Sequence, residues 1–350
     1  MTSPLPRPRL AQRGFTLVEL MVASAIGLVI LSGITALFIS NTTAQNEVEQ
    51  SGRQIENGRY ATQLLTGDLR NAGYYGAFDI APLVASPAPV PALPDLCAPT
   101  IDGMAATLPL PVQGFDNVDA GILSACLTDV RAGTDIIVAR HTSSCALGDA
   151  NCPAANTGGP FFQASLCNGA NELGSSDVNN YFVFALDSSD TALSRKDHTC
   201  NAVAPIRRFE THIYFIANND NTGDGIPTLK RAELSVSNNA LGMTVVPMVE
   251  GVEDMQFEYG TGDGNFFDAP TTAVGWSVVP VLPVPPSTVI PPSIAIRAIK
   301  LTLLARNTTA SAGYTNTNTY TMGNKTVTIN GDHYKRHLFQ STIYLANRLP

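Results

Sequence analysis

The hydrophobic pattern divides the start of the chain into two halves of one helical segment. Residues 15–39 form an apolar run of 25 residues in which Glu19 carries the only charge. At ~1.5 Å per residue this run can cross a hydrocarbon layer of roughly 30 Å as a helix. Residues 41–71 turn polar but stay helix-compatible, and no proline occurs between Pro8 and Pro82. Val48 and Ile55 lie seven apart, and Leu65 and Leu69 four apart, so a narrow apolar stripe is predicted to continue. An unbroken helix over residues 15–70 would be ~84 Å long. Gly27, Gly33, Gly52, Gly58 and Gly67 weaken it by about 1 kcal/mol each relative to alanine. Asn71-Ala72-Gly73 supplies a stop.

The pattern then changes to strands. In residues 95–200 only 134–140 and 181–186 read as strands, and the remainder reads as irregular and Gly/Asn/Asp/Ser-rich. Strands are predicted over 211–217, 228–234, 252–259, 294–305 and 339–345. Proline-rich loops are predicted over 81–94 and 279–292, and a Thr/Asn/Gly-rich hairpin tip over 307–324. The fold class is therefore α+β: a long N-terminal helix packed on a β-rich, loop-rich domain. The predicted divisions are 1–14, 15–40, 41–72 and 73–350, with an irregular cysteine-containing region at 95–200.

Composition sharpens this picture. Charged residues make up 14% of the 350, with 28 glycines, 24 prolines and a net charge of -8. That mix suits an extracytoplasmic β-domain, and the acidic balance offers no electrostatic footprint for nucleic acid. Arg7, Arg9 and Arg13 precede the apolar run without an acidic residue, which predicts a cytoplasmic N-terminus and a single-pass anchor. A secretory signal peptide is disfavoured, because its apolar region would be shorter and end in a small-residue cleavage site. Cys97, Cys126, Cys145, Cys152, Cys167 and Cys200 are even in number and contain no CxxC pair. Disulfides are expected, and nearest-neighbour pairing is one of 15 possibilities.

The stretch Gly14-Phe15-Thr16-Leu17-Val18-Glu19-Leu20 resembles the processing motif of type IV pilins and type II secretion pseudopilins. The resemblance implies cleavage between Gly14 and Phe15 by a prepilin peptidase, N-methylation of Phe15, and a role for Glu19 in assembly. Loss of residues 1–14 would leave 18 basic against 29 acidic residues, a charge of -11. A carboxylate in an apolar span needs a partner, and the amine of Phe15, in cis or on a neighbour, would make each charge tolerable. The plainer reading places Glu19 at the headgroup level of an ordinary signal anchor. Many major pilins carry a proline about twenty residues into the mature helix; this chain has Ala36 in that neighbourhood.

In the C-terminal part, Phe257, Tyr259 and Gly260 with the Asp263-Gly264 turn, and Asn347-Arg348 near the end, resemble PilW-type minor pilins. The J-class pseudopilins are the alternative. The resemblance covers residues 7–70 and, through less specific cues, 205–350. It implies a non-enzymatic role in type IV pilus assembly or priming, in a tip complex, with adhesion and twitching as its setting. The implied partners are the prepilin peptidase, other minor pilins and the major pilin, the bacterial inner membrane, and a pilus-tip adhesin, with the C-terminal domain in the periplasm. A membrane-anchored periplasmic binding protein or enzyme is the remaining alternative.

No cofactor is predicted. Asp220 and Asp224 partly match a calcium loop, but the twelfth position is Arg231, and a tight hairpin turn explains the run as well. His141, His198, His212, His333 and His337 show no metal-ligand spacing, so no metal site is expected.

Overall fold

The computed structural model describes residues 14–78, 95–152, 158–260, 264–269 and 296–347. The predicted loops at 81–94 and 279–292, Arg348, and Asp263 of the Asp263-Gly264 turn lie outside the described residues. Helix α1 (Leu17–Asn71) is continuous, as the absence of proline allows. Two compact units divide within it, Met1–Ser51 and Gly52–Pro350.

In the first unit the described apolar side chains are exposed. Phe15 is 90% accessible, Leu28 66% and Phe38 67%. Among the described residues one helix is long and apolar enough to cross a membrane, and its apolar window is unburied. Ser24, Ser32, Thr35, Thr42 and Thr43 donate to carbonyls three or four residues back, so these hydroxyls are satisfied within the helix.

The second unit begins with the rest of α1. Its buried positions are Gln54, Gly58, Ala61, Leu65 and Leu69. The predicted stripe is corrected here: Leu65 and Leu69 belong to it, but Val48 and Ile55 are exposed at 74% and 45%. Gln54 heads the buried face instead. Its side-chain amide donates to the carbonyls of Ala305 at 2.7 Å and Lys335 at 3.0 Å, which satisfies a buried polar group.

A seven-stranded antiparallel sheet is built from β1 (Val112–Phe115), β2 (Ile136–Ala146), β3 (Phe161–Ala164), β4 (Phe182–Ala185), β5 (Ile206–Ala217), β6 (Thr228–Ser237) and β7 (Ala240–Glu250). One edge of β5 pairs with β2. Its other edge pairs with β3 near residue 207 and with β6 from residue 212 onward. A second sheet has the order β13-β10-β8-β9, from β8 (Val252–Gly260), β9 (Phe266–Phe267), β10 (Ala298–Arg306) and β13 (Arg336–Tyr344). Strands β11 (Thr319–Met322) and β12 (Lys325–Thr328) form a hairpin within the excursion between β10 and β13. A short helix, α2 (Ile101–Thr107), is capped by the Thr100 hydroxyl.

Residues 95–200 thus contribute more strands than the sequence predicts, and β2 lies between β1 and β5. Strand β5 is buried on both faces. Tyr214 and Ile216 join Ala61, Leu65 and Leu69 of α1 and Met255, Phe257, Leu301 and Leu303 of the second sheet in one core. Ile213 and Phe215 join Ile136 and Val138 in another. Burial on both faces removes the alternation a half-exposed strand would show. Strand β7 was not predicted. It is an edge strand that pairs only with β6, and Pro247 sits opposite Lys230 at a register shift. A third core is aromatic: Tyr75, Phe162, Phe182, Phe184 and Phe209, with ring centroids 5.0–6.3 Å apart.

The cysteines are joined as Cys97–Cys126, Cys145–Cys152 and Cys167–Cys200, with Cα–Cα distances of 5.1, 5.6 and 5.0 Å. These are the nearest-neighbour pairs. The end of α1 is tied down from the far terminus of the chain. Gly73 adopts φ +80° and donates to the carbonyl of Arg140 at 2.9 Å. The amide of Asn347 donates to the last helical carbonyls, of Arg70 at 3.2 Å and Asn71 at 3.3 Å.

Among the helix glycines only Gly58 has a packing reason. A Cβ there would overlap the ring of Phe339 on β13, whereas Gly27, Gly33, Gly52 and Gly67 face open space. Gly58→Ala would normally stabilise a helix by about 1 kcal/mol. Here it is expected to cost about 1–3 kcal/mol through overpacking. The combination with Phe339→Ala should recover part of that loss in a thermal melt. A stabilising single variant would refute the close approach.

Candidate functional site

The N-terminal candidate residues lie together at the start of α1. Gly14 and Phe15 precede the helix and are exposed. Thr16 occupies the N-cap position and Glu19 lies three residues on. The backbone N–H and the hydroxyl of Thr16 both donate to Glu19 Oε2 at 2.9 Å, and the N–H of Glu19 donates to Thr16 Oγ1 at 3.2 Å. This is a reciprocal capping box. It holds the carboxylate against the positive end of the helix dipole and one turn from the Gly14–Phe15 junction. The sequence showed the carboxylate and its spacing; Thr-x-x-Glu at a helix start was the available signal for its local partner.

The second cluster was not anticipated. Asp68, in the last turn of α1, faces His141 on β2 and His212 on β5. Asp68 Oδ1 lies 2.9 Å from His141 Nε2, and Oδ2 lies 2.9 Å from His212 Nδ1. The register explains the meeting. His141 is paired with Glu210, and Ala139 with His212, so the two histidines are diagonal neighbours on one face. Their rings are 5.6 Å apart. Further along, that face buries Ala139, Tyr214 and Ile216 beneath α1. At its polar end it lines a cleft of about 420 Å³, walled also by Tyr74, Arg208, Arg231 and Glu233.

Burial of Asp68 opposes its ionisation, but the hydrogen bonds from His141 and His212 outweigh it and hold the carboxyl well below its usual range. Burial of His141 likewise opposes charge. The bond to Asp68, with the negative charges of Asp68 and Glu210, raises its pKa above the ordinary histidine value. Asp68, His141 and His212 offer ligand atoms within 4.8 Å of one another. His198, His333 and His337 lie outside this group.

The loop of Asp220 and Asp224 joins β5 to β6. Asp224 accepts backbone N–H bonds from Asp220, Asn221 and Ile226 at 3.1, 2.7 and 2.9 Å. These bonds, led by that from Ile226, keep its pKa low. Asp220 accepts from the Asn221 side chain, and Lys230 Nζ donates to the Asp220 carbonyl at 2.9 Å. These bonds hold the run in a tight turn between the two strands.

Comparison with known families gives two matches. Residues 9–35 match the prokaryotic N-terminal methylation motif, and residues 213–347 match the model described as Type IV Pilus-assembly protein W. The first covers the Gly14–Phe15 junction, Glu19 and most of the apolar run. The second runs from β5 to Asn347. No curated protein and no solved structure matched the chain.

Proposed function

From the premise that the chain is a type IV pilus-related pilin, consistent with a PilW-like minor pilin, we propose that it acts in assembly or priming of the pilus, in a tip complex with other minor pilins. The observation that carries this reading is the presence on one chain of the methylation motif, the exposed apolar run 15–39 with Glu19 as its single charge, and the pilus-assembly match in the β-rich domain. A prepilin peptidase cuts between Gly14 and Phe15 and the new amine is methylated. The apolar residues to position 39 hold the chain in the inner membrane, with the arginines cytoplasmic and the disulfide-bearing domain periplasmic. On assembly, apolar surface moves from lipid to neighbouring helices, and Glu19 pairs with the amine of Phe15 on a neighbour. The β-domain supplies the surface by which other minor pilins, the major pilin and a tip adhesin are met. The role is structural and needs no cofactor.

The test is detection of the processed chain, beginning at Phe15, in sheared filaments together with other minor pilins. Its recovery there supports the reading. Its retention in the membrane, when filaments are otherwise normal and form equally well without it, would overturn it.

A further inference from the structure

We propose that Asp68, His141 and His212 bind a divalent transition-metal ion of the zinc class, between the last turn of α1 and the β2–β5 face, with a fourth coordination position open to the cleft. One carboxylate and two imidazoles form a donor set suited to zinc and its transition-metal neighbours. Calcium and magnesium prefer all-oxygen sites. The three ligand atoms already lie within 4.8 Å of one another. In a tetrahedral site with bonds of roughly 2.1 Å, ligand atoms stand roughly 3.4 Å apart, so small side-chain rotations suffice.

The surroundings of His141 supply an independent observation. Its Nδ1 lies 3.1 Å from the carbonyl of Thr142 and 3.5 Å from Glu210 Oε2. Its Nε2 lies 2.9 Å from Asp68 Oδ1. A neutral imidazole has one N–H, yet both nitrogens of this buried ring face oxygens, so the ring meets Asp68 either as an imidazolium or across a bound metal ion. With Nδ1–H donated to the carbonyl, Nε2 presents a lone pair toward Asp68 and His212, and a cation between them satisfies all three. A ring held by a backbone carbonyl through one nitrogen while the other meets the metal is a common arrangement of metal-bound histidine.

The electrostatics permit the ion. Arg231, one of two arginines lining the cleft, is bonded to Glu233. With neutral imidazoles, Asp68, Glu210 and Glu233 outnumber Arg208 and Arg231 around the cleft, so a dication enters a site of net negative charge. The ion would clamp the end of α1 to the sheet beside Gly73 and the Asn347 cap. It is distinct from the N-terminal assembly residues, and it stands whether or not the pilus reading does.

The test uses the full-length chain in detergent, treated with a chelator and dialysed, then titrated with Zn²⁺ at about pH 8, above the ordinary imidazole pKa, so that fewer protons compete with the ion. One ion per chain, a micromolar or tighter Kd and a raised Tm are expected. Asp68→Asn and His212→Ala should each weaken binding at least about tenfold, whereas a triple His198→Ala, His333→Ala, His337→Ala variant should bind as the native chain does. Should the variants fail to fold, Co²⁺ added to the native chain provides the readout. Visible bands of a four- or five-coordinate nitrogen–oxygen site support the proposal. A spectrum of the hydrated ion alone, no saturable Zn²⁺ binding, or binding lost only in the triple variant would overturn it.

Discussion

Glu19→Ala is expected to leave cleavage after Gly14 intact and to deplete the chain from sheared filaments by at least about tenfold. In the proposed assembly, cleavage depends on the junction before the helix, whereas incorporation depends on what the carboxylate meets afterward. In the structure Glu19 is held by Thr16 at a defined distance from the junction. Its charge is the only one between residues 15 and 39. In an apolar surround a new amine at Phe15 needs an anion, and a charge-assisted hydrogen bond is the strongest such contact available. Glu19→Gln separates the two roles of the side chain. A glutamine oxygen can still accept from Thr16 and start the helix, but it cannot neutralise an amine. The glutamine variant should therefore resemble the alanine variant in filament content while keeping the native helix start. Native filament content in both variants would remove the assembly role.

The second large effect is expected inside the β-rich domain. Glu253 on β8 is 7% exposed and sits among three guanidiniums. Arg131 reaches it at 3.3 Å, Arg306 at 3.9 Å, and Arg336 makes a two-armed contact. The Arg336 side chain is 1% exposed. Arg306 also stacks 4.0 Å over the ring of Tyr334. Burial pulls the Arg306 pKa down, with the charge of Glu253 opposing it. Glu253→Ala leaves these cations facing one another with only Asp332 to compensate Arg336. Breaking a buried pair by removing one partner costs about 3–5 kcal/mol. At about 2–4 °C per kcal/mol for a domain of this size, Tm should fall by roughly 6–20 °C. Asp332→Ala should cost much less, since Asp332 is 36% exposed and Glu253 remains. Equal effects of the two substitutions would show that Glu253 is not the centre of the network.

What the sequence made legible was local. The long helix follows from an uninterrupted composition, and its stop follows from one glycine whose φ is in fact positive. Strands β6, β8, β10 and β13 were visible because apolar and β-branched residues cluster in them. Strand β7 was hidden by Pro247, which only an edge position tolerates. Strands β1 and β3 are short and broken by polar or glycine positions (Gln113, Gly114, Gln163), whereas the equally short β4, Phe182–Ala185, is uniformly apolar and was legible. The stripe through Val48 and Ile55 failed for another reason. Spacing alone cannot say which face of a helix docks, and the face that docks begins with a glutamine that has carbonyl partners 251 and 281 residues away.

The Asp68 cluster shows the same limit more sharply. Asp68 is separated from His141 by 73 residues and from His212 by 144. Only the β2–β5 register, which sets His141 opposite Glu210, brings the rings to one face. Glu19 was readable because its partners are its own neighbours in the chain. The buried network around Glu253 was not, because four separate segments build it.

The proposed processing and assembly are tested most directly at the N-terminus. Mass spectrometry of the N-terminal peptide, recovered from the native membrane, should find Phe15 as the first residue with a single methyl group on its amine. A chain that still begins at Met1, or one cut elsewhere in the apolar run, would contradict them.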